Sequence, residues 1–142
     1  MSNDKGIPGL ADLIGVPFLD KGRDCRVGLD CWGLVLEVQR RIGNVVPDYS
    51  VTSCYASGEC DAWVRGESVG GKWVAVDDPI PGDIVVMETN PDMPGCIDHC
   101  GVFIGGGRFI HAIQKHEVSA PKLRLASMFG KVRGYYRWAG NK

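Results

Sequence analysis

Apolar residues follow helical spacing in one early segment of the chain and strand spacing in several later ones. The helical stripe occupies positions i, i+3, i+4, i+7 and i+11 (Cys31, Leu34, Val35, Val38 and Ile42), which is typical of an amphipathic helix packed on a core. Asp30 is a suitable N-cap, and Gly43 suits the position just beyond the helix C-terminus. The pattern predicts a helix over residues 31–43, preceded by a shorter helix ending near Gly15.

From residue 72 onward the period changes. Short segments rich in β-branched and aromatic residues alternate with turn residues: KWVAV, GDIVVME, HCGVFIG, RFIHAI and VRGYYRW. Such segments are typical of strands. Residues 44–71 are interrupted by proline and glycine, with one helical turn predicted over residues 60–64. Helices followed by strands with short connections predict an α+β domain, with N-terminal helices packed on a central antiparallel sheet.

Size and composition restrict the class of protein. A chain of 142 residues fits one domain, residues 1–142. With 44% apolar and 23% charged residues, it has the composition of a globular domain. A net charge of −1 does not indicate nucleic acid or a membrane surface as a partner. The chain after Glu117 is locally basic, which indicates a solvated face or, less simply, docking to an acidic polymer.

The start of the chain and its cysteines bear on its environment. MSNDKGIPGL lacks the basic start and apolar run of a secretory leader, and no apolar stretch approaches the ~20 residues of a membrane span. We therefore expect synthesis in a reducing cytoplasm, which argues against disulfides between the six cysteines (Cys25, Cys31, Cys54, Cys60, Cys96 and Cys100). Only the last two have the spacing of a zinc knuckle, so we expect no metal.

Two histidines flank a triple glycine in HCGVFIGGGRFIHA, residues 99–112. If the three glycines form the loop of a hairpin, Ile104 faces Arg108 and Gly101 faces His111. His99 then shares a face with His111 as its diagonal neighbour, within reach of a ring side chain. A two-residue loop would place the histidines on opposite faces. The prediction therefore depends on an odd loop length.

Cys31 completes a possible catalytic group. It lies in the first turn of the predicted helix, where unpaired N–H groups and the helix dipole favour a thiolate. It also belongs to the apolar stripe, which must face the sheet. If the covered face carries His99 and His111, the three residues supply a nucleophile, a base and an orienting group. The alternative is a buried core cysteine and two structurally bonded histidines, with His116 as a surface residue.

The blocks GLDCWGLV, PGDIVVM and HCGVFIGGGRFIHA resemble the signature blocks of the NlpC-type cell-wall peptidases, over roughly residues 12–138. These are papain-like cysteine enzymes that cut peptidoglycan stem peptides. The resemblance implies that Cys31 is the nucleophile, His99 the general base and His111 the residue that orients it. It implies a structural turn at residues 81–83 and no cofactor.

The resemblance also assigns Asp30, Trp32 and Phe18 to the support of the site and its oxyanion hole. Many members have serine after the cysteine, whereas this chain has Trp32 and so looks more like the versions encoded among phage tail genes. Phe18 stands where the family often has a tyrosine, and it lacks the hydroxyl. The resemblance thus implies a phage tail or prophage enzyme whose partners are stem peptides and tail proteins.

Three alternatives remain from the sequence. The chain could be a non-catalytic tail assembly subunit with a vestigial site, although all three candidate catalytic residues are present. It could perform another reaction on the same scaffold, as an amidase, a transpeptidase or an acyltransferase. It could also be a zinc-stabilised binding module. The bond cleaved, whether near D-glutamate and diaminopimelate or elsewhere, follows from the resemblance alone.

Overall fold

A computed structural model describes residues 6–48 and 72–140. The elements in order are a first 3₁₀ helix (Ala11–Leu13), β1 (Arg23–Asp24), β2 (Gly28–Leu29), α1 (Cys31–Arg41), β3 (Trp73–Val76), β4 (Ile84–Glu88), β5 (His99–Gly105), β6 (Arg108–His111), a second 3₁₀ helix (Leu123–Met128) and β7 (Lys131–Trp138). This arrangement confirms the predicted α+β fold. The helical turn predicted over residues 60–64 lies outside the described residues.

The main sheet has five strands in the order β3-β7-β4-β5-β6, and every neighbouring pair is antiparallel. One face packs against α1 in a core built around Leu34, Val35, Val86 and Val102. The other face forms a smaller apolar cluster under the second 3₁₀ helix (Val85, Met87, Phe103, Phe109 and Ala126). The sheet is therefore covered on both sides.

Helix α1 begins as its sequence predicts. The carboxylate of Asp30 accepts a 2.7 Å hydrogen bond from the Gly33 N–H, as expected of an N-cap. The helix ends at Arg41, and Gly43 follows with φ of +92°, a left-handed conformation that suits glycine. Gln39 is also fully buried, and its amide donates to the Gly82 carbonyl at 2.8 Å. The buried surface of α1 is thus wider than the predicted stripe.

The turn ahead of the central strand has the structural role that the resemblance implies. Gly82 adopts φ of +104°, and the Asp83 N–H donates to the Ile80 carbonyl at 3.0 Å. The Asp83 carboxylate is 2% exposed and accepts two hydrogen bonds from Arg137, at 2.9 and 2.8 Å. This ion pair ties the entry of β4 to β7, so that the turn fixes the middle of the sheet.

The loop between β5 and β6 differs from the prediction. Gly105, not Ile104, pairs with Arg108, and the turn is Gly106-Gly107 with φ of +62° and +70°. Two positive φ values suit the tight turn that joins twisted antiparallel strands. A bulge between Phe103 and Gly105 adds one residue to β5 and restores the parity that a two-residue turn would reverse. Gly101 therefore faces His111, as predicted.

Candidate functional site

Cys31 is the first residue of α1, and its side chain is 5% exposed. Its backbone N–H is among the first-turn groups that have no acceptor within a helix. The positive end of the helix dipole also favours negative charge at this position. Cys31 therefore combines a thiol with a local environment that stabilises an anion.

His99 and His111 meet as predicted. The Nε2 atom of His99 lies 2.9 Å from the Nδ1 atom of His111, and both rings are almost fully buried. Gly101 faces His111 across the pairing of β5 with β6, and a Cβ at Gly101 would lie 2.9 Å from the His111 side chain. This glycine therefore allows the two rings to approach. The hydrogen bond leaves the Nδ1 atom of His99 as its second proton-transfer position.

Both imidazoles are neutral at pH 7. Burial, with a smaller effect of His111, holds the pKa of His99 well below its usual range. Burial and the nearby charge of His116 lower the pKa of His111 to about 4. An unprotonated His99 can accept a proton, which is what a general base requires. The neutral, hydrogen-bonded pair is therefore suited to the roles of a base and its orienting partner.

Two phenylalanine rings pack against His111. Phe109 and Phe129 lie on His111 with ring centroids 4.7 and 4.8 Å away. The Nε2 atom of His111 is buried and has no hydrogen-bond partner among the described residues. Phe129 stands at 81° to the imidazole, a perpendicular arrangement that is favourable for an aromatic pair. His111 is thus fixed by packing on one side and by His99 on the other.

Helix α1 covers the sheet face opposite to the one that carries the imidazoles. Cys31 belongs to the core cluster that includes Cys100 and Val102, whereas His99 and His111 alternate to the side of Phe109. The condition set by the sequence, that the covered face carries both histidines, is therefore wrong. Side chains alternate along β5, so Cys100 meets the helix and His99 does not. No hydrogen bond joins Cys31 to His99 within residues 6–48 and 72–140.

Cys100 follows His99 in β5 and lies on the side of the strand that faces Cys31. Its side chain points away from His99, and the interaction with the neighbouring Cys31 side chain, together with burial, raises the pKa of the Cys100 thiol well above its usual value. Cys100 is therefore a neutral thiol beside Cys31. Because His99 immediately precedes Cys100 at the first residue of β5, the Cys31 thiol and the His99 imidazole lie on either side of the same strand end.

Asp98 anchors that strand end. Its carboxylate is 1% exposed and accepts hydrogen bonds from the Thr89 N–H and hydroxyl, at 2.8 and 2.7 Å, and from the Asn90 N–H, at 2.7 Å. These bonds tie the residue before His99 to the end of β4. This role was not predicted from the sequence, although Asp98 stands directly before the histidine that begins the strand.

Asp30 supports the beginning of α1 through charge as well as capping. Arg23 donates to its carboxylate at 2.7 Å and to Asp48 at 3.1 and 3.0 Å. Burial raises the pKa of Asp30, against the opposing effects of the Gly33 N–H and Arg23. The Arg23 guanidinium therefore offsets the negative charge that Asp30 places one residue before Cys31.

Trp32 and Phe18 occupy different environments. Trp32 is fully buried and packs edge-on against Trp73, with ring centroids 6.3 Å apart, and Trp73 packs similarly on Trp138. Trp32 therefore supports the site only through the core. Phe18 is half-buried, pairs with Leu29 in an isolated bridge and lines a surface cavity. It lies on the segment that leads into α1.

Two cavities flank the turn at residues 113–116. One of about 280 Å³ reaches Phe129, and another of about 280 Å³ reaches Phe18; Lys115 and His116 line both. His116 is exposed, as predicted, but its charge also affects His111. No pattern in the sequence points to Lys115, because its position between the cavities depends on the path of the turn.

Cys25, Cys31, Cys96 and Cys100 are free thiols. Cys54 and Cys60 lie outside the described residues. Within the described part of the chain, no group of three or more His, Cys, Asp or Glu side chains could hold a metal ion. No helix in that part is long and apolar enough to span a membrane.

A protein from Bacillus subtilis (strain 168), gamma-DL-glutamyl hydrolase, is 32% identical over 126 residues. The match covers 88% of this chain and 27% of that protein, so the chain spans about a quarter of its relative.

Solved structures have the same fold. NlpC2 from Trichomonas vaginalis superposes with a TM-score of 0.64 at 19% identity, covering 97% of this chain and 50% of that one. The NlpC/P60 domain of the peptidoglycan hydrolase SagA gives a TM-score of 0.60 at 20% identity, covering 98% and 100%. The NlpC/P60 family model matches residues 15–137. With a match over most of its length, the chain belongs to the NlpC/P60 family of cell-wall hydrolases.

Proposed function

We propose that the protein is a cysteine endopeptidase that cleaves peptidoglycan stem peptides at the amide between γ-linked D-glutamate and diaminopimelate. The proposal rests above all on the 2.9 Å hydrogen bond between a neutral His99 and His111, beside a helix that begins with Cys31. The name of the gamma-DL-glutamyl hydrolase relative supports a γ-glutamyl amide as the substrate.

The first chemical step requires a proton to leave Cys31. The Nδ1 atom of His99 accepts it, while the His99 Nε2–H donates to the Nδ1 of His111. This tautomer leaves the proton of His111 on its buried Nε2 atom, in an imidazole packed by Phe109 and Phe129. His99 is the first residue of β5, so the proposed step requires its ring to meet the Cys31 thiol around this strand end. Catalytic hydrogen bonds commonly tighten when substrate binds.

The thiolate then attacks the amide carbonyl, and the Cys31 backbone N–H at the start of α1 helps to hold the oxyanion. The His99 imidazolium returns its proton to the leaving amine, which frees the carboxyl-terminal part of the peptide. Water, deprotonated by His99, hydrolyses the thioester and restores the thiol. His111 holds the His99 ring in register throughout, and no metal or organic cofactor takes part.

Incubation with purified peptidoglycan tests the proposal. New amino groups and released fragments are followed for the unmodified protein, for Cys31→Ala and for the matched control Cys96→Ala, which removes a thiol far from α1 in sequence. We expect cleavage by the unmodified protein and the control, none by Cys31→Ala, and fragment masses that identify the γ-glutamyl bond. A correctly folded protein that cleaves no wall type would instead be an assembly subunit with a vestigial site.

We propose further that the enzyme acts on the wall from a phage tail or prophage particle, with tail proteins as partners. This proposal is supported by the DCWGLV block, in which Trp32 replaces the serine of many cellular members. Mass spectrometry of purified particles tests it. Detection of the chain in tails at constant stoichiometry is expected, and its presence only in the soluble fraction of host cells would contradict it.

A further inference from the structure

The turn at residues 113–116 forms a ridge between the two cavities. One cavity is lined by the ridge and by Thr89, Met128 and Phe129. The other is lined by Lys115, His116, Pro17, Phe18 and Glu117. A ligand that enters either cavity therefore contacts this turn.

The ridge lies next to the reacting groups. On one side, Phe129 packs against His111 with centroids 4.8 Å apart, and the charge of His116 acts on the same imidazole. On the other side, Phe18 pairs with Leu29, two residues before Cys31. A peptide that crosses the strand end at His99 would thus pass the ridge.

Lys115 is the permanent cation of these cavities. Among the described residues, it has no carboxylate within 4.0 Å. The arginines near α1 are engaged: Arg23 with Asp30 and Asp48, and Arg41 with Asp12 and Glu37. Of the groups lining the cavities, Glu117 is the one carboxylate. The ammonium of Lys115 is therefore available to a ligand.

The backbone holds Lys115 in an unusual conformation. The His116 N–H donates to the Ile113 carbonyl at 3.1 Å, which closes a β-turn, and Lys115 at its third position has φ of +72°. Glycine is the usual residue at such a position. Lys21 is the other described non-glycine residue with positive φ, at +64°, and it lines neither cavity. Strained residues of this kind cluster at ligand-binding sites.

We propose that Lys115, with His116 beside it, binds the free α-carboxylate of a γ-linked glutamate in the substrate. This inference rests on the proposed function. A glutamate linked through its γ-carboxyl retains an α-carboxylate a short aliphatic chain away from the scissile carbonyl. An ammonium on a long flexible stem can reach such a group, and a charge-assisted hydrogen bond to it is stronger than a neutral one.

Binding to the Cys31→Ala protein tests the subsite without turnover. Calorimetry compares an L-alanyl-γ-D-glutamyl-diaminopimelate peptide with its α-amide, which differs only in the charge of the group concerned. We expect the amide to bind about tenfold more weakly. Lys115→Gly should abolish the preference while suiting the turn, and Lys115→Arg should retain it. Lys21→Gly relieves a similar backbone conformation elsewhere and should also retain the preference.

Equal affinity for acid and amide, or an unchanged preference in Lys115→Gly, would overturn the subsite. Cleavage assays with the same two peptides separate this result from the fate of the proposed function. A protein that cleaves both peptides equally well remains a peptidase without the subsite. A protein that prefers the acid in binding but cleaves neither peptide has the subsite without the peptidase activity.

Discussion

The two faces of β5 differ in what they contribute to the site. The face that packs on α1 supplies the thiols, with Cys31 against Cys100 in a continuous apolar core. The opposite face supplies the imidazoles, with His99 and His111 among phenylalanine rings. Each half is held by its own packing, and the first two residues of β5, His99 and Cys100, belong to opposite halves. A change on one face should therefore affect function and stability differently from a change on the other.

The largest effect is expected from removing the base on the imidazole face. His99→Gln retains a polar side chain that can hydrogen-bond to His111 but cannot take the Cys31 proton. Loss of a general base typically lowers kcat by about 10²–10⁴-fold. We expect a decrease of this size in peptide cleavage, with KM and the thermal midpoint nearly unchanged, measured by steady-state kinetics and calorimetry.

His116→Gln is the matched control, since His116 is an exposed histidine beside the same pair. Its kcat should stay within a few-fold of the unmodified value, and any larger effect should appear in KM, because His116 lies in the proposed carboxylate subsite. Equal losses in His99→Gln and His116→Gln would contradict the assignment of the base to the buried imidazole.

A substitution on the face of the sheet that packs on α1 should lower the stability of the protein and not the catalytic rate directly. Trp32→Ser introduces the serine that the resemblance assigns to many cellular members, but here it empties a fully buried position against Trp73. Large-to-small changes of buried aromatic residues cost about 3–5 kcal/mol in the free energy of unfolding. Denaturant unfolding should show this loss, and Trp32→Phe should show a smaller one. A stable Trp32→Ser protein that had lost cleavage would instead indicate a direct role of Trp32 in the site.

Acid should weaken the imidazole face before the helix face. The pKa of His111 is about 4 in the folded protein, against an ordinary value of 6.5, so the unfolded chain binds a proton first as pH falls. The contribution of neutral His111 to the free energy of unfolding is therefore fully present above about pH 6.5. It is lost as the pH falls towards 4, and the loss is on the order of 3 kcal/mol. His99, with a pKa also lowered by burial, adds to the decline. His116 is the neighbouring residue whose charge helps to lower the pKa of His111.

Equilibrium unfolding in urea across this pH range measures the decline. His111→Asn keeps a polar group at the position but removes the titration, so its stability should depend less steeply on pH. An equally steep acid limb in His111→Asn would show that other groups, such as buried carboxylates, determine it.

The sequence predicted the histidine pair and the position of Cys31 separately, but it did not predict how the two are arranged relative to the sheet. Residue alternation placed His99 and His111 together, and helical periodicity placed Cys31 at the start of α1. Periodicity could not tell which face of the sheet α1 covers, because both alternating sets of HCGVFIG include apolar residues (Cys100 and Val102 on one side, Phe103 on the other). Only the three-dimensional packing of α1 on Val102 and Val86 decides between them.

The hairpin shows a second limit. The predicted pairing of Gly101 with His111 is confirmed, but through a two-residue turn and a bulge instead of a three-residue loop. Three consecutive glycines permit either solution, and the choice depends on strand twist and on pairing along the whole of β5. Lys115 shows a third limit of prediction from sequence. Nothing in the residues around Lys115 indicates that it occupies a turn position that glycine normally fills.

The smallest effect is expected at Cys100, where the two faces share a strand. Cys100→Val preserves the size and apolar character of a buried side chain, so the free energy of unfolding should change by less than about 1.5 kcal/mol. It removes the neutral thiol that lies beside Cys31. Replacing this polar S–H group by a methyl group beside the Cys31 sulfur should slow alkylation of Cys31 by iodoacetamide about two- to fivefold at neutral pH. Peptide mapping by mass spectrometry measures that rate, with Cys96→Val as the control. Faster alkylation in Cys100→Val would mean instead that the Cys100 side chain shields the Cys31 sulfur from reagents.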